Sequence, residues 1–337
     1  MREAVLEPVR DLTPNLRGRR FSMPSITYKE EAIFLAMPPG PPTSREGFAI
    51  PKKGSETPDI GWFPWALYPE EVSGEEFSCD VVVASMDGWH ELPLTQVNLW
   101  SPKLQCLSDG ELLVVDERGW PREAKNACVY GMDGHLERSF RIGGDEDTFA
   151  DESGRIWATY GDELTNTKEG GSALVRLDDH GRKQWGFNEN RGDAESVWMF
   201  YALNVGPGVV WGCGYTEWEI VRIKDDHVTH WKQGLGGVDE IAVNEPHVLM
   251  VGAYHKGDPK FWLGRLGQAE LEDVEEVRVT LPDGRSLRDL EHPLSKLGIP
   301  LAQRRTSYPF RIIGRNNALH VFLEDHWYRL RVEDVAE

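Results

Sequence analysis

Cysteine is scarce in this chain. The four among 337 residues, Cys79, Cys106, Cys128 and Cys213, sit singly in apolar contexts with no Cys-x-x-Cys pair. Neither a thiolate zinc site nor a disulfide framework is indicated, and reduced, buried thiols are expected. A contact between Cys106 and Cys128, on strands of one repeat, stays open. Positive charge is short as well: 37 Lys and Arg stand against 56 Asp and Glu, a formal charge of -19. That balance argues against nucleic acid and against an anionic membrane surface as partners, and favours a cationic partner or a metal. Long apolar runs are missing. Nowhere do 18 apolar residues follow one another, and the N-terminal MREAVLEPVRDLTPNLRGRR carries charges where a leader needs an apolar stretch. A soluble, cytoplasmic protein is the expectation. Also absent are a Gly-x-Ser-x-Gly elbow and a phosphate-cradling Gly-x-x-x-x-Gly-Lys loop, which removes the commonest hydrolase and nucleotide-binding signatures.

What is present is a repeat. The stretch Asp145 to Phe187 shows it most cleanly, as four antiparallel strands in about 43 residues, the period of a propeller blade. An apolar-polar strand meets the Glu152-Ser153-Gly154-Arg155 turn and returns as Ile156 to Tyr160. A second hairpin, Ala173 to Leu177 and Lys183 to Phe187, folds about Asp178-Asp179-His180-Gly181. Looser copies flank it, with hairpins about Met86-Asp87-Gly88, Ser108-Asp109-Gly110, Met132-Asp133-Gly134, Gly206-Pro207-Gly208, Asp225-Asp226, Asn244-Glu245-Pro246 and Asn316-Asn317. Thirteen tryptophans supply bulk for the space between twisted sheets.

The spacing predicts an all-β, six-bladed β-propeller of four-stranded antiparallel blades, read as a single domain over 1–337; seven blades remain possible if an insertion hides a hairpin. Insertions are expected at about 38–78, with the aromatic patch Trp62, Phe63, Trp65 and Tyr68 as lid or partner surface, and at 285–309, with a helical piece at 287–297. A short helix is also expected at 268–274. The last repeat, Phe310 to Val332, runs out one strand short. A closed ring leaves no unpaired edge, so Val5 to Val9 is expected to supply the outer strand of the sixth blade.

The phrases Asp151-Glu-Ser-Gly-Arg-Ile-Trp157, Tyr201-Ala-Leu-Asn-Val205 and Phe261-Trp-Leu-Gly-Arg-Leu266 resemble those of uncharacterised actinobacterial propeller proteins, over roughly residues 95 to 266. Such proteins are similar in architecture to streptogramin-lyase-like and NHL-type propellers. The resemblance implies the fold. The lyase family works with a divalent metal and a histidine-glutamate cluster, but no Glu-x-His pair stands at corresponding turns here, so no catalytic residue is carried over.

Propeller function usually sits on the face made by the loops leading into each innermost strand and by those joining second strand to third. Acidic lead-in loops on successive blades would aim carboxylates at one axis, where they share protons or hold a hard cation such as Ca²⁺ or Mg²⁺. Glu146, Glu195 and Asp239 are the candidate ligands. Tyr160, Tyr215, Trp218 and Tyr254 share the position just after the second strand, and their rings would line a rim for stacking on a sugar, a flat ring or a peptide. His255 is the candidate acid or base and His326 has the same standing, while His227 and His230 fall on an outer hairpin and are set aside. Two functions follow. One is a non-catalytic binding module taking a peptide, protein or small ligand; the other is a metal-dependent lyase or lactonase in which axial carboxylates hold a cation that polarises a carbonyl.

Overall fold

The structure, a computed structural model, describes residues 1–12, 20–21, 24–37, 77–97, 102–116, 125–143, 147–161, 170–252, 259–290 and 310–337. The described chain is nearly all strand. It opens with β1 (Arg2–Val5) and β2 (Glu7–Asp11), then gives blade one: β3 (Arg20–Phe21), β4 (Ser25–Ile26), β5 (Ala32–Met37), β6 (Phe77–Ala84) and β7 (Trp89–Val97). Blade two is β8 (Pro102–Cys106), β9 (Leu112–Asp116), β10 (Ala127–Tyr130) and β11 (Leu136–Phe140). Blade three is β12 (Thr148–Ala150), β13 (Ile156–Thr159), β14 (Leu174–Leu177) and β15 (Lys183–Gly186), followed by the one-turn helix α1 (Phe187–Asn190). Blade four is β16 (Met199–Gly206), β17 (Val209–Tyr215), β18 (Ile220–Lys224) and β19 (His227–Trp231). Blade five is β20 (Glu240–Asn244), β21 (His247–Gly252), β22 (Lys260–Leu266) and β23 (Leu271–Thr280). Blade six is β24 (Arg311–Arg315), β25 (Ala318–Leu323) and β26 (His326–Arg331), closed by β2, with α2 (Val332–Ala336) after it. The six sheets form a ring, a six-bladed β-propeller, with β4, β8, β12, β16, β20 and β24 in succession around the axis.

Burial explains the strand patterns. Each blade is sandwiched between two neighbours, so its second strand is covered on both faces and is mostly apolar: Leu112–Asp116, Ile156–Thr159 and Ala318–Leu323 are buried throughout, with Asp116, Thr159 and His320 the polar members. Outer strands such as Leu136–Phe140 carry exposed positions instead. The apolar clusters lie between blades, one joining blades two and three, another blades five and six. Hairpin turns repeat one device. Asp151 Oδ1 accepts from the amides of Ser153 (2.9 Å) and Arg155 (3.1 Å), and Asp178 Oδ1 from those of His180 (2.9 Å) and Arg182 (2.8 Å), each ahead of a left-handed glycine, Gly154 or Gly181.

Several expectations are corrected. The N-terminal segment does complete blade six, but through Glu7–Asp11 rather than 5–9, antiparallel to β26. Ahead of it β1 crosses to blade five and runs parallel to β23, so one short segment stitches two blades. The changeover is at Leu6, whose buried side chain joins the core between those blades. Blade one begins earlier than the apolar strand at 31–37: its innermost position is shared by β3 and β4, both paired with β5. No helix forms at 268–274. Gly267 and Glu270 make a turn and β23 starts at Leu271 against Leu266, because pairing satisfies the backbone there. Of the helical piece at 287–297 the structure gives a single 3₁₀ turn, Leu287–Asp289; 291–309, 38–76 and the patch Trp62, Phe63, Trp65 and Tyr68 lie outside the described residues.

All four cysteines are free, and burial pushes the thiols of Cys79 and Cys106 up to about 12. Cys106 and Cys128 do not meet, since β9 runs between their strands. Two ladder spacings, about 9.6 Å, exceed the reach of a disulfide. No helix among the described residues is long and apolar enough to cross a membrane.

Candidate functional site

The loops between blades and those joining second to third strands gather on one face, and at blade four they build a cluster of side chains. Tyr201 on β16, Tyr215 at the end of β17 and Trp218 in the following loop pack ring against ring, with centroids 5.9 Å (Tyr201–Tyr215), 5.0 Å (Tyr201–Trp218) and 5.5 Å (Tyr215–Trp218) apart. All three are half-buried. Beside them Trp198 is 57% exposed, held in register by its amide on the Tyr215 carbonyl (2.8 Å).

Trp218 stands in the left-handed region at φ 59°, which a bulky residue enters only when its surroundings impose it. Those surroundings are visible. The Trp218 carbonyl accepts from Gln233 Nε2 (2.7 Å) and from the Cys213 thiol (3.4 Å), so a half-buried amide and a buried thiol fix the loop that presents the ring.

Next to the rings is a polar group that sequence reasoning passed over. Glu219, 3% exposed, lies 3.1 Å from His230 Nδ1 through Oε1 and accepts from the Glu195 amide (3.2 Å) through Oε2. His230 Nε2 is 3.7 Å from Asp193. His230 was set aside because an outer strand carries it. It lies near that strand's end, at the level where the lead-in loop 193–195 and the loop at 216–219 meet. A Glu directly after an aromatic loop, Trp218-Glu219, was the available signal.

The second concentration of charge lies along the axis. Asp147, ahead of β12, is 3.5 Å from Lys103 on β8 and 3.9 Å from Arg311 on β24. Arg311 in turn is 3.9 Å from Glu240, the first residue of β20. Glu240 Oε2 accepts from the Gly314 amide (2.8 Å). A Cβ on Gly314 would sit 2.0 Å from the Ile241 carbonyl oxygen, so only glycine lets β20 and β24 approach this closely. Burial pushes the Glu240 carboxyl up to about 8, despite the opposing pull of Arg311.

The candidates from the sequence therefore fall in different places. Tyr215 and Trp218 come together. Tyr160 does not join them: it is 1% exposed, and its hydroxyl donates to the Ile142 carbonyl (2.8 Å) inside the cluster between blades two and three. Glu195 is exposed, and only its backbone amide touches the blade-four group. Asp239 is half-buried, its amide on the Val251 carbonyl (2.7 Å). Glu146, Tyr254 and His255 lie outside the described residues. His326 pairs with Asp325 (3.0 Å) and, with Asp11, makes one of two groups of three potential ligands among the described residues; the other is Asp178, Asp179 and His180 on an outer hairpin. Neither includes Glu195 or Asp239.

Among the described residues the axial carboxylates already face cations: Lys103 and Arg311 lie against Asp147, and Arg311 against Glu240.

No family model matches this chain, and no curated protein matches it. Solved structures with a similar course do exist. The extracellular domain of a B. thetaiotaomicron protein described as a one-component system aligns at 8% identity and TM-score 0.43, over 97% of this chain and 42% of that one. A gluconolactonase from Xanthomonas campestris aligns at 10% identity and TM-score 0.40, over 97% of each chain. A quinonprotein alcohol dehydrogenase-like protein from Bacteroides thetaiotaomicron gives 8% and 0.34, over 78% of this chain and 70% of that one. The chain thus spans 42% of the length of the first of these.

Proposed function

We propose that the protein is a non-catalytic propeller binding module that takes a peptide, protein or small ligand on its loop-rich face, at blade four. The observation that carries this is the ring cluster Tyr201–Tyr215–Trp218 beside the exposed Trp198. Aromatic faces held rigid lose little entropy when a ligand stacks on them, and the acidic Asp193, Glu195 and Glu219 alongside favour a ligand carrying positive charge. The metal-dependent lyase or lactonase has less support, because Lys103 and Arg311 stand among the axial carboxylates that would have to hold its cation.

The test is a screen of basic and aromatic peptides and of aromatic-stacking small molecules, read by tryptophan fluorescence and repeated with Trp218→Ala. A ligand held at blade four should lose about 1–3 kcal/mol of binding energy when Trp218 is truncated, by analogy with other stacking sites. A ligand bound equally by both proteins sinks the proposal.

A further inference from the structure

On the face opposite the loops, the hairpin turns of blades three and four enclose a cleft, and none of the blade-four rings Tyr201, Tyr215 and Trp218 lines it. Its cavity measures about 90 Å³. At about 10–15 Å³ for each water-sized group, that is room for roughly six to nine non-hydrogen atoms. The lining divides by exposure into floor and rim. Trp157 on β13, Val210 on β17 and Ile223 on β18 are buried and supply an apolar floor to which both blades contribute. Arg155, just after the β12–β13 turn, and Asp225, in the β18–β19 turn, stand at the rim.

Most of the charge around the cleft is already paired. Arg176 of blade three hydrogen-bonds Asp226 of blade four through both Nη groups, and its guanidinium carbon lies 5.6 Å from the centre of the Trp157 ring. Asp151 accepts from Arg155 Nε (2.7 Å) and Trp157 Nε1 (3.2 Å). Two groups are left over. The two Nη groups of Arg155 make no hydrogen bond among the described residues. Nor does the Asp225 carboxylate; it is the Asp225 backbone carbonyl that accepts from His227 Nδ1 (2.8 Å). The cleft therefore offers a spare guanidinium edge on blade three and a spare carboxylate on blade four. An anion alone would meet Asp225 and Asp226, and a cation alone would meet Arg155, whereas a molecule carrying both charges satisfies the two spare groups together.

We propose that this turn-side cleft binds a free α-amino acid with a compact branched side chain, of valine to leucine size. Arg155 takes the carboxylate, Asp225 takes the ammonium, and the side chain rests on Trp157, Val210 and Ile223. The site is independent of what the loop-rich face of blade four binds, since it opens on the other face.

The test is thermal melting and calorimetric titration of the full chain with L-leucine and L-valine. Isovalerate and isoamylamine serve as comparisons, each keeping a branched apolar body and one of the two charges. Either amino acid should raise the melting temperature in a saturable way, because a ligand bound only by the folded state stabilises it. Each single-charge analogue should bind about tenfold more weakly or worse, the loss of one charge-assisted hydrogen-bonded contact. Asp225→Asn should weaken leucine by a similar factor. Asp225 and Asp226 both hold left-handed backbone, at φ 51° and 63°, which asparagine tolerates, so this variant keeps the turn. Arg155→Gln should weaken leucine as well, and if it does not fold Asp225→Asn decides alone. Trp218→Ala should leave leucine binding unchanged, which separates this site from the one on blade four. The proposal is overturned if neither amino acid gives a saturable rise, if isoamylamine or isovalerate binds as tightly as leucine, or if Asp225→Asn binds leucine as wild type does.

Discussion

The ring is held at two seams, and they are built from different chemistry. At the outer wall, residues 2–11 join the molecule through backbone ladders, parallel to β23 and antiparallel to β26. At the axis, innermost strands of different blades meet chiefly through charged and polar side chains: Lys103, Asp147, Glu240 and Arg311 towards the loop-rich face, Gln105 and Arg315 towards the turns. A ladder tolerates almost any side chain, whereas a charge contact depends on one residue in each blade. The wall should therefore be sensitive to deletion and the axis to point substitution.

The largest effect is expected at the wall. Removing residues 1–12 strips two strands, exposes the edges of β23 and β26 and should cost several kcal/mol while promoting aggregation. Removing only residues 1–5 leaves β2 in place and should cost clearly less, measured by urea unfolding of both truncations. Equal losses would mean that β1, and not the closure of blade six, secures the ring. Next comes the axis. Gly314→Ala drives a Cβ against the Ile241 carbonyl and should destabilise by about 3 kcal/mol, read from the same unfolding curves. A variant as stable as wild type would mean that β20 and β24 separate freely.

A smaller effect is expected from pH. The folded protein retains the Glu240 proton up to about pH 8, whereas the unfolded chain releases it from 4.5 upward. The unfolded state thus binds fewer protons in that window. This contribution to stability is complete below the unfolded value and is lost as pH rises towards 8. Glu240→Gln keeps an acceptor for the Gly314 amide and should flatten the decline in stability between pH 5 and 8. A slope identical to wild type would place the proton elsewhere. The smallest expected effect is none. Metal-stripped protein should melt at the same temperature in chelator as in millimolar calcium or magnesium, and a rise of several degrees would restore the axial-cation reading.

How much the sequence disclosed follows the same division. Strands covered on both faces are mostly apolar, so Leu112–Val115 and Ile156–Ala158 announced their blades, and a ring one strand short announced its N-terminal strand. The changeover at Leu6 was hidden, because Arg2–Val5 and Glu7–Asp11 read as one extended stretch and nothing in it states which blade each half joins. The axis was hidden more deeply. Gln105 and Arg315 look like ordinary hairpin-end residues, and only closure of the ring sets both against Ala150. Tyr160 shared its position with Tyr215 but met the Ile142 carbonyl, and one buried acceptor made it a core residue.

The stitch at the wall also bears on where the chain is cut. The Arg2 guanidinium hydrogen-bonds the Val335 carbonyl, and α2 packs against β1, so the first and last described residues are neighbours in space. A few glycines and serines would join 337 to 1, and the exposed Pro282–Gly284 turn could be opened instead. Every ladder of the six sheets would survive that circular permutation. Such a protein would place its new ends beyond β23, on the loop-rich face between blades five and six, and leave the wall free of chain ends.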